Sequence, residues 1–157
     1  MPIRPYKKRR IQKDEIYNSL EVEKLITYIM KDGKKTVAQK IVYSIFEKIK
    51  QDSMDPLKIL SQAISNVAPN FEVKPRRLGG ASYLVPIEVR PERKIFLALN
   101  WIIEKAKSKP NKEFKTFENK LYKELNDAAK NQGEAVNKRN ETEKLAEANK
   151  AFAHLKW

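Results

Sequence analysis

One segment of this chain, FEVKPRRLGGASYLVPIEVR (residues 71–90), departs from the helical pattern of the residues around it. Apolar and polar residues alternate on both sides of Gly79-Gly80, which is typical of two antiparallel strands joined by a tight turn. Adjacent glycines permit the positive φ angles that such a turn needs. Pro75 and Pro86 would remove ladder hydrogen bonds from a central strand, so they indicate a ribbon that protrudes from the body. We therefore predict a β-hairpin inserted into a helical protein.

Start and stop signals define the first helices. Asn18 and Glu21 resemble a capping box at the start of the first helix, and Gly33 is expected to end that helix as the left-handed C-cap residue. Asp55-Pro56 predicts the start of the third helix, because an N-cap acid is followed by proline at the first helical position.

Apolar stripes and breaking residues predict the other helices. The stripe of the second helix is spaced by four residues: Val37, Ile41, Ile45 and Ile49. Arg90-Pro91 is expected to start the fourth helix, and the fifth is expected to run from about Lys112 to Gly133. A sixth, charged almost all round, covers residues 134–150. The pattern predicts a mainly α fold: a six-helix bundle with one protruding two-stranded antiparallel β-hairpin and a basic N-terminal arm.

The chain of 157 residues is long enough for one domain with its own core. Residues 1–13 contain six basic residues and no acidic one, and we predict that they form a flexible basic arm. The single helical domain is expected to span residues 14–150, with the ribbon inserted at 71–90. Residues 151–157 are expected to form a C-terminal tail.

The net charge of +13 comes from 33 basic and 20 acidic residues. Such a charge repels itself in a compact fold, so an anionic partner is expected. Nucleic acid is the first candidate and an anionic membrane surface is the second. No segment approaches the roughly 18 consecutive apolar residues of a membrane span, and the chain start lacks the apolar region of a signal peptide. We therefore expect a soluble, cytoplasmic protein.

The residues that carry most catalytic and metal chemistry are scarce. The chain has no cysteine, and its one histidine is His154, so neither a metal cluster nor a catalytic triad is expected. Gly79-Gly80 belongs to neither a Walker loop nor a dinucleotide-binding motif. Most acidic residues stand near lysines at helix-surface spacing, which indicates ion pairs instead of an acid–base couple. We predict no enzymatic activity, no cofactor and no metal.

Basic residues gather at four places: the arm, one helix connection, the hairpin with the helix start after it, and a second connection. Tyr83 on the hairpin has two interpretations: it stacks on an exposed base, or it packs with Val85 and Ile87 against the helices. The predicted RNA-binding residues are Arg4, Lys7, Lys8, Arg9, Arg10, Lys34, Lys35, Lys74, Arg76, Arg77, Tyr83, Arg90, Arg93, Lys94, Lys112 and Lys115.

The distribution of these basic elements favours RNA over DNA. No helix-turn-helix pair, zinc finger or basic zipper is present. Separate basic elements suit a folded RNA, which offers an irregular shape instead of a uniform groove. A DNA-binding architectural protein remains an alternative. A peripheral membrane protein would need an amphipathic helix with an exposed apolar face, and residues 134–150 are too polar for that.

Four segments resemble bacterial small-subunit ribosomal protein seven, in order and over roughly residues 14–157: MKDGKKTVAQKIVYS, PNFEVKPRRLGGASYLVPIEVRPERK, ELNDAAKNQGEAVNKR and AEANKAFAHLKW. The resemblance implies a structural constituent of the small ribosomal subunit that acts in translation without catalysis. It further implies a primary binder of the 3′ domain of small-subunit ribosomal RNA, which organises the subunit head. A non-ribosomal nucleic-acid-binding architectural protein is the alternative.

The resemblance also implies partners for individual elements. The basic arm and Lys34-Lys35 would contact ribosomal RNA. The ribbon from Lys74 to Arg90 would reach towards exit-site transfer RNA and the messenger RNA. The C-terminal helix and tail would face neighbouring small-subunit ribosomal proteins. The location implied is the ribosome in the cytoplasm.

Overall fold

The computed structural model describes residues 11–155. Five residues of the predicted interface lie outside this range: Arg4, Lys7, Lys8, Arg9 and Arg10. Within it the chain forms six α-helices, one hairpin and a final 3₁₀ helix. The elements are α1 (Leu20–Ile29), α2 (Lys35–Gln51), α3 (Pro56–Val67), β1 (Phe71–Leu78), β2 (Ala81–Glu88), α4 (Pro91–Ser108), α5 (Phe117–Ala129), α6 (Glu134–Ala148) and the 3₁₀ helix (Lys150–Leu155). The mainly α fold with one antiparallel hairpin is confirmed.

All six helices contribute to one apolar core, and five of them supply its large side chains. Leu25 of α1, Phe46 of α2, Leu60 of α3, Leu99 of α4 and Leu121 of α5 are all buried. Each such side chain contributes about 1.5–3 kcal/mol when it is fully removed from water. Helix α6 contributes only three small or medium apolar side chains to the buried set and packs partly against the hairpin instead. The core therefore forms the body that carries the hairpin and the helix connections.

The hairpin agrees with its prediction. β1 and β2 pair antiparallel, with Lys74 opposite Val85 and Pro75 opposite Leu84. Gly79 and Gly80 form the turn with φ angles of 54° and 88°. The helix starts at Asp55-Pro56 and Arg90-Pro91 are also confirmed, and the Asp55 carboxylate accepts a hydrogen bond from the backbone N–H of Leu57 at 3.0 Å.

The predicted caps of the first helix are wrong. Helix α1 begins after Ser19, and Asn18 has a left-handed φ of 47° one residue earlier. The helix ends with Met30 as its cap, and Gly33 lies in the following connection. The carboxylate of Asp14 accepts two backbone N–H groups and so forms a turn before the helix. This turn, not a capping box, sets how the chain enters α1.

The predicted stripe of α2 is partly wrong, since Val37 is 52% exposed. Residues four apart advance by about 40° around a helix, so a strictly four-spaced row drifts away from the core face. The buried side of α2 consists of Ala38, Val42, Ile45, Phe46 and Ile49.

Helix α5 begins at Phe117 instead of near Lys112. The hydroxyl of Thr116 accepts the N–H of Asn119 at 3.4 Å and caps the helix. Ahead of it, the connection is held by Lys120, which is 6% exposed and donates hydrogen bonds to the Lys109 carbonyl and to Asn111. Both partners of the buried Lys120 ammonium lie in the connection. The connection therefore folds around this side chain and does not add earlier turns to α5.

Candidate nucleic-acid interface

Asn70 connects the base of the hairpin to two helices. Its carbonyl accepts the N–H of Val89 at 2.9 Å, which closes the ribbon. Its backbone N–H donates to Glu143 Oε1 of α6 at 3.0 Å, and its side-chain oxygen accepts from Lys94 Nζ of α4 at 2.8 Å. The base of the hairpin is therefore fixed relative to the start of α4. Lys94, a predicted RNA ligand, takes part in this anchoring.

An open groove lies between the hairpin and the start of α4. Alternate residues of β1 share one face of the ribbon, so Glu72, Lys74 and Arg76 lie together. The residues that line this basic groove are Glu72, Lys74, Arg76, Ile87, Glu88, Arg90 and Arg93. Its volume of about 740 Å³ is open to solvent. Four predicted RNA ligands thus meet in one place.

Glu72 forms ion pairs with two of these cations. Its Oε1 lies 3.2 Å from Lys74 Nζ, and its Oε2 lies 3.4 Å from Arg93 Nη2. The carboxylate side chain is only 15% exposed, whereas those of Lys74 and Arg93 are 52% and 47% exposed. The cations therefore face solvent while their shared anion lies behind them.

Aromatic rings support Arg93 and extend the site towards α1. The Arg93 guanidinium lies 5.1 Å from the ring centre of Phe96, and Phe96 meets Tyr28 edge to face at 5.5 Å. Burial raises the pKa of Tyr28 above the ordinary tyrosine value. Tyr28 is close to the end of α1, so these rings link the start of α4 to the end of α1 and the connection that follows it.

That connection carries Lys34 and Lys35, and both are exposed. Lys34 occupies the N-cap position of α2, where free backbone N–H groups favour anions. Lys35 Nζ lies 2.6 Å from Glu23 Oε1, and this hydrogen bond raises the pKa of the Lys35 ammonium. The charge of Lys35 is partly offset by Glu23.

Tyr83 contacts the C-terminal 3₁₀ helix. Its ring centre lies 5.3 Å from that of Phe152, and Tyr83 is half-buried. This contact agrees with the packing interpretation of Tyr83, although the covering element is the 3₁₀ helix. Its stacking on a base stays a prediction. Next to it on the same face, Val85 is fully buried.

The remaining predicted ligands lie elsewhere. Arg77 is exposed but follows Arg76 directly in β1, so it belongs to the opposite face of the ribbon. Lys112 and Lys115 are exposed in the connection after α4. They are separated from the groove by α4, whose 18 residues span about 27 Å. Lys112 and Lys115 therefore form a second basic region, and Arg77 lies outside both regions.

The other side of the hairpin base is acidic and apolar. Phe71, 48% exposed, and Pro86 form its apolar wall. Glu143 and Glu147 place carboxylates on it beside one lysine, Lys150, and Glu88 borders both this side and the basic groove. Because carboxylates repel phosphates, nucleic acid is expected on the basic groove side of the ribbon.

Sequence reasoning missed two contributors to the basic groove, Glu72 and Phe96. The spacing of Glu72, Lys74 and Arg76 by two was a usable signal, because it places all three on one face once the ribbon is recognised. The contact between Phe96 and Arg93 was also available from their i,i+3 spacing on a helix.

Within residues 11–155 no group of three or more histidine, cysteine or acidic side chains is arranged to hold a metal ion. In the same range, none of the helices combines the length and apolar character needed to cross a bilayer.

Comparison with known proteins gives a consistent result over nearly the whole length. The family model described as Ribosomal protein S7p/S5e matches residues 3–150. Small ribosomal subunit protein uS7 of Caldicellulosiruptor bescii is 49% identical over 154 residues, covering 98% of this chain and 97% of the relative. The uS7 of Thermodesulfovibrio yellowstonii is 49% identical over 159 residues, with both chains fully covered. That of Caldanaerobacter subterraneus subsp. tengcongensis is 48% identical over 154 residues.

Proposed function

This chain belongs to the ribosomal protein S7p/S5e family, and we propose that it organises the 3′ domain of the small-subunit ribosomal RNA and lies near the exit path of transfer and messenger RNA. It is a structural constituent of the small ribosomal subunit that binds ribosomal RNA and neighbouring ribosomal proteins. The family is not an enzyme family, and the proposed role is non-catalytic.

The basic groove is the observation that supports this proposal most directly. Lys74 and Arg93 present half-exposed cations from a fixed base, and Arg90 lies at the same end of α4. Arginine offers a planar set of donors that matches a phosphate, and lysine adds a compact charge. The arrangement can therefore bind two or more backbone phosphates of a folded RNA.

The second basic region suits a separate segment of the same RNA. Lys112 and Lys115 lie about one helix length of α4 away from the groove. A uniform duplex contacted at both regions would have to bend around the helical body, whereas a folded RNA domain presents phosphates in several directions. Binding would release counterions, so affinity should fall steeply with salt.

Filter binding to the 3′-domain fragment of small-subunit ribosomal RNA tests the proposal. A same-length RNA with its helical junction disrupted is the reference, and salt is titrated for both RNAs. The proposal requires tight binding to the intact fragment and much weaker binding to the disrupted one. Equal binding of the two RNAs would overturn it, and preference for duplex DNA in direct competition would favour the architectural alternative.

The contribution of the ribbon is tested by changing Lys74, Arg76 and Arg77 together to alanine. We expect weaker binding to the intact fragment and a salt slope lower by about 2, roughly one each for Lys74 and Arg76, or by about 3 where Arg77 on the opposite face also contacts the RNA. The matched control changes three exposed lysines outside the groove to alanine: Lys58, Lys123 and Lys144. An equal loss in the control would mean that only net charge matters.

A further inference from the structure

We propose that Glu72 is a specificity-determining residue of the basic groove. Its carboxylate orients Lys74 and Arg93, and it disfavours RNA whose phosphates do not match the positions of these two cations. This inference rests on the proposed function, because it concerns how the same groove distinguishes one RNA from another. Simple charge attraction of a polyanion does not require a carboxylate within its binding site, yet Glu72 lies between two of the cations of the groove.

The geometry allows Glu72 to remain in place while RNA binds. Lysine has three N–H donors and arginine has five, so each cation can bind Glu72 and a phosphate at once. The two cations are about half exposed, and the carboxylate side chain is 15% exposed. A phosphate that enters the groove therefore meets the cations first and need not displace the carboxylate.

Two physical effects follow for RNAs that differ in fit. Holding both side chains in the free protein reduces the conformational entropy lost on binding, which favours an RNA whose phosphates match their positions. A phosphate that reaches only one cation is still repelled by the nearby carboxylate, which disfavours a poorly fitting RNA. Glu72 therefore increases the difference in affinity between RNA whose phosphates match the positions of the two cations and RNA whose phosphates do not.

Glu88 provides a matched control in the same groove. It is exposed, lines the groove, and forms no ion pair with any residue in the range 11–155. Glu88→Gln changes the net charge by the same amount as Glu72→Gln. It leaves the contacts of Lys74 and Arg93 unchanged. The two variants therefore separate the effect of local charge from the effect of holding the cations.

The experiment measures the affinity of each full-length variant for the intact 3′-domain fragment and for the disrupted RNA. We expect Glu72→Gln to bind the disrupted RNA about two- to fivefold more tightly, as expected for release of partly exposed ion pairs. It should bind the intact fragment no more tightly than the wild type, so the ratio of the two affinities falls. For Glu88→Gln both affinities should rise equally, leaving the ratio unchanged.

Glu72→Asp provides a second variant that keeps the charge. Its shorter side chain cannot reach both cations from the same backbone position, so binding to the intact fragment should weaken and the ratio should again fall. An unchanged ratio in both Glu72 variants, with strong discrimination in the wild type, would overturn this inference alone. If the wild type did not discriminate, the proposed function would fail, and this inference would fail with it.

Discussion

Two carboxylates of this protein bind lysine or arginine in opposite surroundings. Glu72 lies beneath the open basic groove, and its two cations are half exposed. Glu124 on α5 is fully buried: its Oε2 lies 2.8 Å from Lys109 Nζ, and its Oε1 accepts the N–H of Ala135 at 2.9 Å. Lys109 is only 12% exposed. The same kind of ion pair therefore holds solvent-exposed cations in the basic groove and joins segments of the fold around Glu124.

The buried site joins three parts of the fold. Lys109 belongs to the connection after α4, Glu124 to α5 and Ala135 to the first turn of α6. A buried charge is costly unless its partners satisfy it, so these three segments are constrained together. At the hairpin, water can replace a lost partner. This difference predicts which changes affect stability and which affect binding.

Removing the buried carboxylate should have the largest effect. We expect Glu124→Ala to lower the free energy of unfolding by about 3–5 kcal/mol, because Lys109 loses its nearest anion and the N–H of Ala135 loses its acceptor. Urea denaturation followed by circular dichroism measures the change. Glu72→Gln should lower it by less than about 1 kcal/mol, as for exposed pairs.

Glu104→Ala is the control for loss of an exposed glutamate on α4, and it should change the free energy of unfolding by less than about 0.5 kcal/mol. Similar losses for Glu124→Ala and Glu72→Gln would contradict the distinction between the two regions.

The glycines of the two regions test the same distinction through the backbone. Gly133 precedes α6 with φ 94°, and an added Cβ would lie 3.1 Å from Asp127 Cβ and 3.2 Å from Glu124 Oε1. Gly79 in the hairpin turn has φ 54° and open space around it. We expect Gly133→Ala to lower the free energy of unfolding by about 3 kcal/mol and Gly79→Ala by about 1 kcal/mol.

Thermal and urea unfolding of the two glycine variants compare these values directly. Equal losses would show that neither the backbone conformation of Gly133, with φ 94° and ψ 172°, nor the packing around Glu124 adds to the cost seen at Gly79. RNA binding provides an independent readout, since Gly79→Ala leaves the groove side chains unchanged.

The two regions also differ in how much of their structure could be predicted from the sequence. The hairpin was predictable because its signals are local: alternation, two glycines and two prolines within residues 71–90. The start of α3 was predictable for the same reason. The ion pair between Lys109 and Glu124 depends on how the connection after α4 folds against α5. No local pattern indicated that geometry, and the predicted start of α5 was too early.

Among the candidate site residues, the sequence indicated which were basic but not which would meet. Lys74 and Arg93 are 19 positions apart, and only the packing of the hairpin beside α4 brings both to Glu72. The same packing separates Lys112 from that groove.

Asp14 is a buried carboxylate that accepts hydrogen bonds from several donors. Removing one of these donors should therefore lower the free energy of unfolding least among the three predictions. It is 3% exposed, accepts a hydrogen bond from the Tyr43 hydroxyl at 2.7 Å, and accepts the N–H of Tyr17 at 2.8 Å. Tyr43→Phe removes one donor and leaves the backbone donors in place. We expect a loss of about 1 kcal/mol in the free energy of unfolding at neutral pH.

The pH dependence sharpens this test. Burial and the Asp14 hydrogen bond raise the pKa of Tyr43 above its ordinary value. The unfolded tyrosine ionises near pH 10 while the folded one stays protonated, so the stabilisation is complete below about pH 10 and is lost as the pH rises further. The wild type should therefore lose stability above about pH 10 more steeply than Tyr43→Phe, which retains the raised pKa values of Tyr28, Tyr122 and Lys35. Urea denaturation of both proteins across this range measures the two slopes. Parallel slopes would mean that Tyr43 ionises equally easily in the folded and unfolded chain.

A loss of unfolding free energy in Tyr43→Phe as large as that of Glu124→Ala would mean that burial alone, irrespective of remaining partners, decides the cost of breaking a carboxylate contact in this fold.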